Sequence, residues 1–333
     1  MVGWRVVASG ARVPALSEVA VVSPTDVWAV GGGTLGSGAS FRHTPPVIVH
    51  WNGKRLRTQR AFTPSLAAGQ MTAVAAVTAD DIWAVGNDYN ASYTVGRPVA
   101  LHWDGEQWQR MQLPIASGWL YDVAAIAADD VWAVGKAASR PLVLHWNGRA
   151  WSVVPTPPLG RTSALNAVDG TSAHSVWAAG AEGLDGPTYG ISNLMLRWNG
   201  QRWTRLATGS NSASEALDAT SSDEAWVYEF DWGESGGDDW LVRWSRGMRK
   251  LVSSYSGSGN LEDIAAVSAT SIWAVGARAW EPDYPLVTHW NGKAMRVQPA
   301  FANMRGTSLE AIVARSPTDV WAVGDHLIAR YSR

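Results

Sequence analysis

Four of the seven histidines, His50, His102, His145 and His289, each stand directly before a tryptophan. Imidazole is a common metal ligand and the usual general base near neutral pH. A metal ion, however, needs ligands that converge on one point, and these four recur at one fixed place in a repeating phrase, where Arg197, Arg243 and Arg330 stand elsewhere. They are therefore read as structural, and no metal site is assigned to them. The same logic covers Asp26, Asp81, Asp130 and Asp319, which close a tight turn at matching positions and are expected to bond to the turn backbone. Gly31 to Gly36 matches G-x-G-x-x-G after a strand-like segment, yet no helix opens there and no acidic residue follows at the spacing a dinucleotide site requires. The chain has no cysteine, which excludes thiolate chemistry and disulfides.

Carboxylates outside the repeated phrase have more to offer. Glu229 occupies a position where six matching phrases carry Gly; Asp231 and Trp232 follow it, and Trp280 and Tyr284 flank a second acidic stretch. Trp119, Tyr121 and Asp122 form a third group, and Glu262 with Asp263 a fourth. Aromatic faces beside carboxylates suit a sugar, whose C–H face stacks while its hydroxyls donate to the acids. They suit a cationic peptide or small molecule nearly as well, through charge and cation–π attraction. Two carboxyls whose surroundings separate their pKa values could instead serve as general acid and base, in hydrolase or lyase chemistry. Glu229 with Asp263, or Asp122 with His326, are the pairs that would do so. No cofactor is expected, and a calcium ion held by the acidic loops is a further option although no EF-hand pattern occurs.

What positions these residues is Asp26-Val27-Trp28-Ala29-Val30-Gly31, a phrase that comes round seven times in more or less eroded form. Its tryptophans are Trp28, Trp83, Trp132, Trp177, Trp226, Trp273 and Trp321, a period of 45 to 55 residues, which is the range of propeller blades. The third unit shows the pattern best. Strands are expected over 120–126, 131–135, 141–146 and 150–154, with Asn147-Gly148 read as a type I′ turn between the last two. Val131 to Val134 is apolar on both faces, as in a strand covered on both sides. No stretch keeps a helical period. Trp4 to Val7 looks like a fourth strand with nothing before it, while the last unit stops after its third, so the two ends should complete one blade and leave no open edge.

The expectation is thus an all-β, seven-bladed β-propeller of four antiparallel strands per blade, one domain over residues 1–333. The Asp-Val-Trp-Ala-Val-Gly phrase, followed by His-Trp-Asn-Gly-x-x-Trp, resembles the repeat of bacterial seven-bladed β-propellers, which are broadly similar to the WD40, YVTN and kelch types. That resemblance implies the architecture and leaves the activity open, because propellers of this kind serve as lectins, peptide binders, scaffolds and enzymes. In such a topology the loops between second and third strands share one face with the links between blades. Trp119, Trp232 and Trp280, which belong to no repeated position, fall on that face. Acids and polar residues at the starts of the first strands, among them Glu18, Asn166, Glu215 and Glu310, would surround the channel mouth, with Glu229 beside it. One asymmetric site is expected there, since the aromatics do not recur in every unit.

Bulk composition narrows the partners. Apolar residues make up 46% and charged ones 17%, enough for a core, and a formal charge of -2 without a basic run argues against nucleic acid. No apolar run is long enough to span a bilayer, and the first residues lack a signal-peptide pattern, so an intracellular protein or a mature form freed of its leader is expected, as a monomer. The leading expectation is a binding propeller for a glycan, peptide or small molecule, with the enzyme as its rival.

Overall fold

The computed structural model describes residues 2–35, 42–59, 69–89, 96–160, 162–183, 191–208, 212–231, 239–255, 259–278, 284–301 and 303–332; for 33–35, 42–44, 231, 239 and 255 only the backbone is described. Its strands form seven four-stranded antiparallel sheets arranged as the blades of a ring, and no helix occurs among the described residues. In blade 3 the strands run Trp119–Ala127, Asp130–Ala137, Arg140–Trp146 and Trp151–Val153, close to the spans expected from its sequence. The ring closes as anticipated. Gly3–Ser9 pairs antiparallel with Leu327–Ser332, placing Trp4 opposite Tyr331 and supplying the outer strand of blade 7.

The repeated Trp explains why a radial array is the stable answer. Trp28, Trp83, Trp132, Trp177, Trp226, Trp273 and Trp321 are at most 3% exposed, and each sits in a different apolar cluster shared by its own blade and a neighbour. Trp132 of blade 3 meets Trp203 of blade 4 edge to face at 5.4 Å and Trp198 at 5.0 Å. Trp28 repeats this geometry with Trp108 and Trp103 of blade 2, and Trp273 does so with Trp4 and Tyr331 of the closing blade. A bulky indole fills a wedge that widens outward, and edge-to-face contact adds to the area it buries.

Two local expectations are corrected. The turn-end acids bond to side chains: Asp130 Oδ1 accepts the indole N–H of Trp132 at 2.7 Å and lies 2.8 Å from His145 Nε2, while His145 stacks on Trp132 at 4.2 Å. Asp26 with His50 and Asp81 with His102 do the same. Where the third strand carries Arg, it takes over the role of His, as in Asp319 with Arg330 and Glu224 with Arg243. The Asn-Gly loops are also not two-residue hairpins. Asn147 opens a four-residue loop whose Arg149 and Ala150 amides both bond to its side chain, and only Gly148 takes a positive φ, 83°.

The Gly ending the second strand has a steric origin rather than a turning one. At Gly135 a Cβ would fall inside van der Waals contact with the carbonyl of Trp119, where the first strand bulges against it between Leu120 and Asp122. Blade 5 bulges at the matching place, between Ser214 and Ala216, yet carries Glu229 there, opposite Ser214.

Candidate functional site

First strands of all seven blades contribute to the channel lining, and in blades 1 to 6 a bulge sets two successive residues at the start of that strand. In blade 3 these are Tyr121 and Asp122, in blade 6 Glu262 and Asp263, in blade 1 Ser17 and Glu18. They border a channel cavity of about 420 Å³, joined in its lining by Asn166, Asp169, Glu215, Asp218 and Glu310. Neither Lys nor Arg lines it among the described residues. A second cavity of about 550 Å³ shares Tyr121, Asn166, Glu215 and Glu262 and adds Gln70, Thr72 and Lys136, whose ammonium stands 5.9 Å from the centre of the Tyr121 ring.

The inner carboxyls join blade to blade. Asp122 accepts the amide of Val123 in its own strand and that of Val168 in blade 4, both at 2.7 Å. Asp263 does likewise with Ile264 and with Ile312 of blade 7, both at 2.8 Å. Asp169 reaches Ala219 of blade 5, and Asp218 reaches Ala266 of blade 6. Main-chain donors favour the ionised form, but here they lose to burial. Burial pushes Asp122 up to about 7, against the amides of Val168 and Val123, with the negative Asp169 adding to the rise. Burial likewise lifts Asp263 to about 7 and Asp169 to about 6. Glu18 and Asp218 are raised well above the ordinary carboxyl range by burial first and by like charge second, Glu18 facing Asp263 and Asp122, Asp218 facing Asp169 and Asp263. Like charges close across a narrow channel cannot all ionise at no cost.

Nearer solvent, Glu215 is raised by burial and accepts an N–H from Asn166 at 3.2 Å. Glu310 is raised by burial too, with Asp325 adding to it and a bond from the Ser308 hydroxyl opposing it. Asp169 and Asp218 escaped the sequence reading. Their signal was there: they interrupt the middle of a first strand at the place where the other blades carry Ala20, Ala75, Ala124, Ala265 and Val313.

Those of the remaining expected site residues that are described do not converge on this mouth. Glu229 has no exposed surface and holds Arg249 in a fork, Nη2 to Oε2 at 2.6 Å and Nε to Oε1 at 3.2 Å, with the Ser212 hydroxyl donating at 2.9 Å. An open charge beside the channel is not what it provides. Its side chain replaces the missing close contact of the usual Gly with a buried ion pair to the outer strand. Trp119 packs on Tyr89 of blade 2 at 5.5 Å and against Gly96. Tyr284 borders a separate cavity in blade 6. His326 sits in the last hairpin at φ 54°, its Nδ1 2.5 Å from the Val13 carbonyl oxygen, and makes no pair with Asp122. Trp232 and Trp280 lie outside the described residues, as does the side chain of Asp231, whose backbone pairs with Ser212. Among the described residues no cluster of His, Asp or Glu is arranged to hold a metal ion, and no helix is long and apolar enough to cross a membrane.

No family model matches the chain, nor does any curated protein. Solved structures do. A catalytically inactive virginiamycin B lyase from Staphylococcus aureus with quinupristin superposes with a TM-score of 0.71 at 11% identity, covering 100% of both chains. YCF48 bound to D1 peptide gives 0.66 at 12% identity, over 99% of this chain and 97% of the other. An ulvan lyase, a polysaccharide lyase bound to a GlcA-Rha3S saccharide, gives 0.61 at 12%, over 98% and 96%. At such identities the likeness is one of fold, and these neighbours span peptide binding and lyase chemistry.

Proposed function

We propose that this propeller is a binding protein that takes a cationic ligand, an amine or a Lys- or Arg-bearing peptide, at the mouth of its channel. One observation carries the reading: Glu215, Glu262 and Glu310 ring a cavity whose deeper wall is Glu18, Asp122, Asp169, Asp218 and Asp263, with no Lys or Arg in that wall among the described residues. A narrow cleft of one sign focuses the field on an entering counter-ion. A cation would also offset the burial and the like charge that keep these carboxyls protonated, so binding should release protons. The sugar reading is weaker because, among the described aromatics, Tyr121 reaches the mouth while Trp119 and Tyr284 stand elsewhere. YCF48 with its bound peptide shows that a chain of this fold can hold a peptide. The enzyme reading ranks second: Asp122 and Asp263, near pKa 7, suit proton transfer, but each is already committed to two main-chain amides.

The test is calorimetry with spermidine, an Arg-Lys hexapeptide and a neutral oligosaccharide, in two buffers of different ionisation enthalpy at pH 7. The cations should bind with proton release, weaken with added salt, and lose about tenfold or more in affinity in the variant Glu215→Gln, Glu262→Gln, Glu310→Gln. Salt-independent binding of the oligosaccharide with no response to the cations would overturn the proposal in favour of a lectin.

A further inference from the structure

A third cavity, of about 360 Å³, lies apart from the channel on blade 6 and is lined by Arg278, Tyr284, Pro285, Gln298, Pro299, Ala300 and Phe301. Arg278 and Tyr284 are register partners at the loop-side ends of the second and third strands, and the other wall is the segment that leads from blade 6 toward blade 7. Its character is opposite to that of the channel mouth. The walls are aromatic and prolyl, and among the described residues the charges beside it are positive: Arg278 lines the cavity, and the guanidinium of Arg305 stands 5.8 Å over the Tyr284 ring. Neither arginine has a carboxylate partner among the described residues, whereas Arg197, Arg205, Arg243, Arg249, Arg315 and Arg330 are all paired.

The backbone of this wall is set at some cost. Phe301 holds a φ of 58°, left-handed and disfavoured for a bulky aromatic. Its ring is fixed from behind by Trp4 at 5.7 Å, edge to face, and its carbonyl accepts the amide of Met304 at 2.9 Å. Strained residues at pocket walls persist when their surroundings over-determine them, and they cluster where ligands are clamped.

We infer that this cavity binds a small organic anion with a planar aromatic body, its ring against Tyr284 and Phe301 and its carboxylate or sulfonate on Arg278 and Arg305. The volume suits one such molecule and falls at the small end of ligand pockets. An Arg–carboxylate contact is charge-assisted and can be bidentate, so the anionic group should dominate the affinity. The site stands independently of the proposed cation site, which uses none of these residues.

Naphthalene-2-carboxylate and its neutral isostere naphthalene-2-carboxamide are the probes, titrated into the full chain by ligand-observed NMR and calorimetry. The carboxylate should saturate one site and bind about tenfold or more tightly than the amide. Arg278→Ala with Arg305→Ala should bring the carboxylate down to the level of the amide, and Tyr284→Ala should weaken both. Because both arginines are exposed, the double variant should keep its thermal transition. The charge-reversed Arg278→Glu, Arg305→Glu chain should turn the preference over, to naphthalen-2-ylmethylammonium. Equal affinity for carboxylate and amide, an unchanged affinity in the double alanine variant, or no saturation by the carboxylate would each overturn the inference.

Discussion

Two sets of acids, one at the turn end of the blades and one along the channel, behave in opposite ways. At the turn end, Asp26, Asp81 and Asp130 each face an indole N–H and an imidazole, and Asp319 and Glu224 each face an indole and an arginine. At the channel end, Asp122, Asp169, Asp218 and Asp263 face amides and one another. Glu224 and the channel acids differ in protonation as well. Burial works to raise Glu224 at the turn end, yet the bonds and charge of Arg243 outweigh it and hold the carboxyl below its ordinary range. The channel acids have no such cation among the described residues and are all raised. A buried acid with a built-in partner stabilises the fold. One held by amides alone, among other acids, keeps its proton and still stands to gain from a cation.

The largest test of this division is at the turn end. Trp132→Ala removes an indole that is 1% exposed and wedged between blades 3 and 4, and strands Asp130 and His145 with it. The loss should be about 3–5 kcal/mol by chemical denaturation. Glu262→Ala, at an exposed channel position, should change stability by under about 1 kcal/mol. Comparable losses from both would abolish the distinction between a structural and an available end.

The next test is pH. Asp122 and Asp263 keep their protons up to about 7 and Asp169 up to about 6 in the folded chain, whereas in the unfolded chain all three ionise near 4. Between those values the folded state binds more protons, so stability falls as pH rises. Their contribution is fully present below about pH 4 and has gone by about pH 7 to 8. The melting temperature should therefore be higher at pH 5.5 than at pH 8, by about 3 °C or more. Asp122→Asn with Asp263→Asn, which cannot ionise, should flatten that slope and lie closest to the native chain at the acidic end. A native chain that is most stable at pH 8 would sink the account of the channel acids.

The contrast also decides what could be read from the chain alone. The turn-end set repeats, so its tryptophans announce the blades, and Gly3–Ser9 betrays the closure by looking like an orphaned fourth strand. Repetition shows that a residue is structural without showing its partner. The Asp–Trp–His unit emerges only when antiparallel register sets His145 opposite Trp132. The channel set repeats only in part, Glu18, Asp122 and Asp263 at one place in three blades and Asp169 and Asp218 at another in two. Asp122 and Asp263 stood out at strand starts, while Asp169 and Asp218 hid inside strands that read as apolar. Glu229 misled because a broken repeat looks functional, and its partner Arg249, on an outer strand without the usual Asn-Gly loop, has no counterpart in the other blades to reveal it.

The smallest expected effect sharpens the turn end itself. If the acid there needs only a donor that also covers the indole, His and Arg should be interchangeable beside it. Arg330 shows the arrangement, with Nε 2.9 Å from Asp319 and its guanidinium carbon 5.2 Å from the Trp321 ring centre. In blade 4, where Ser175 stands in place of the acid, Arg197 still covers Trp177 at 5.1 Å but turns its charge to Asp223 instead. Asp and Arg thus go together, and without the acid the arginine finds another. His145→Arg should accordingly keep Asp130 and Trp132 engaged and change stability by under about 1 kcal/mol. His145→Leu, which covers the indole but donates nothing, should cost about 1–3 kcal/mol by leaving the buried Asp130 carboxylate short of a partner. Urea denaturation of the two variants side by side measures the difference, and a leucine variant as stable as the arginine one would show that stacking alone holds the turn end together.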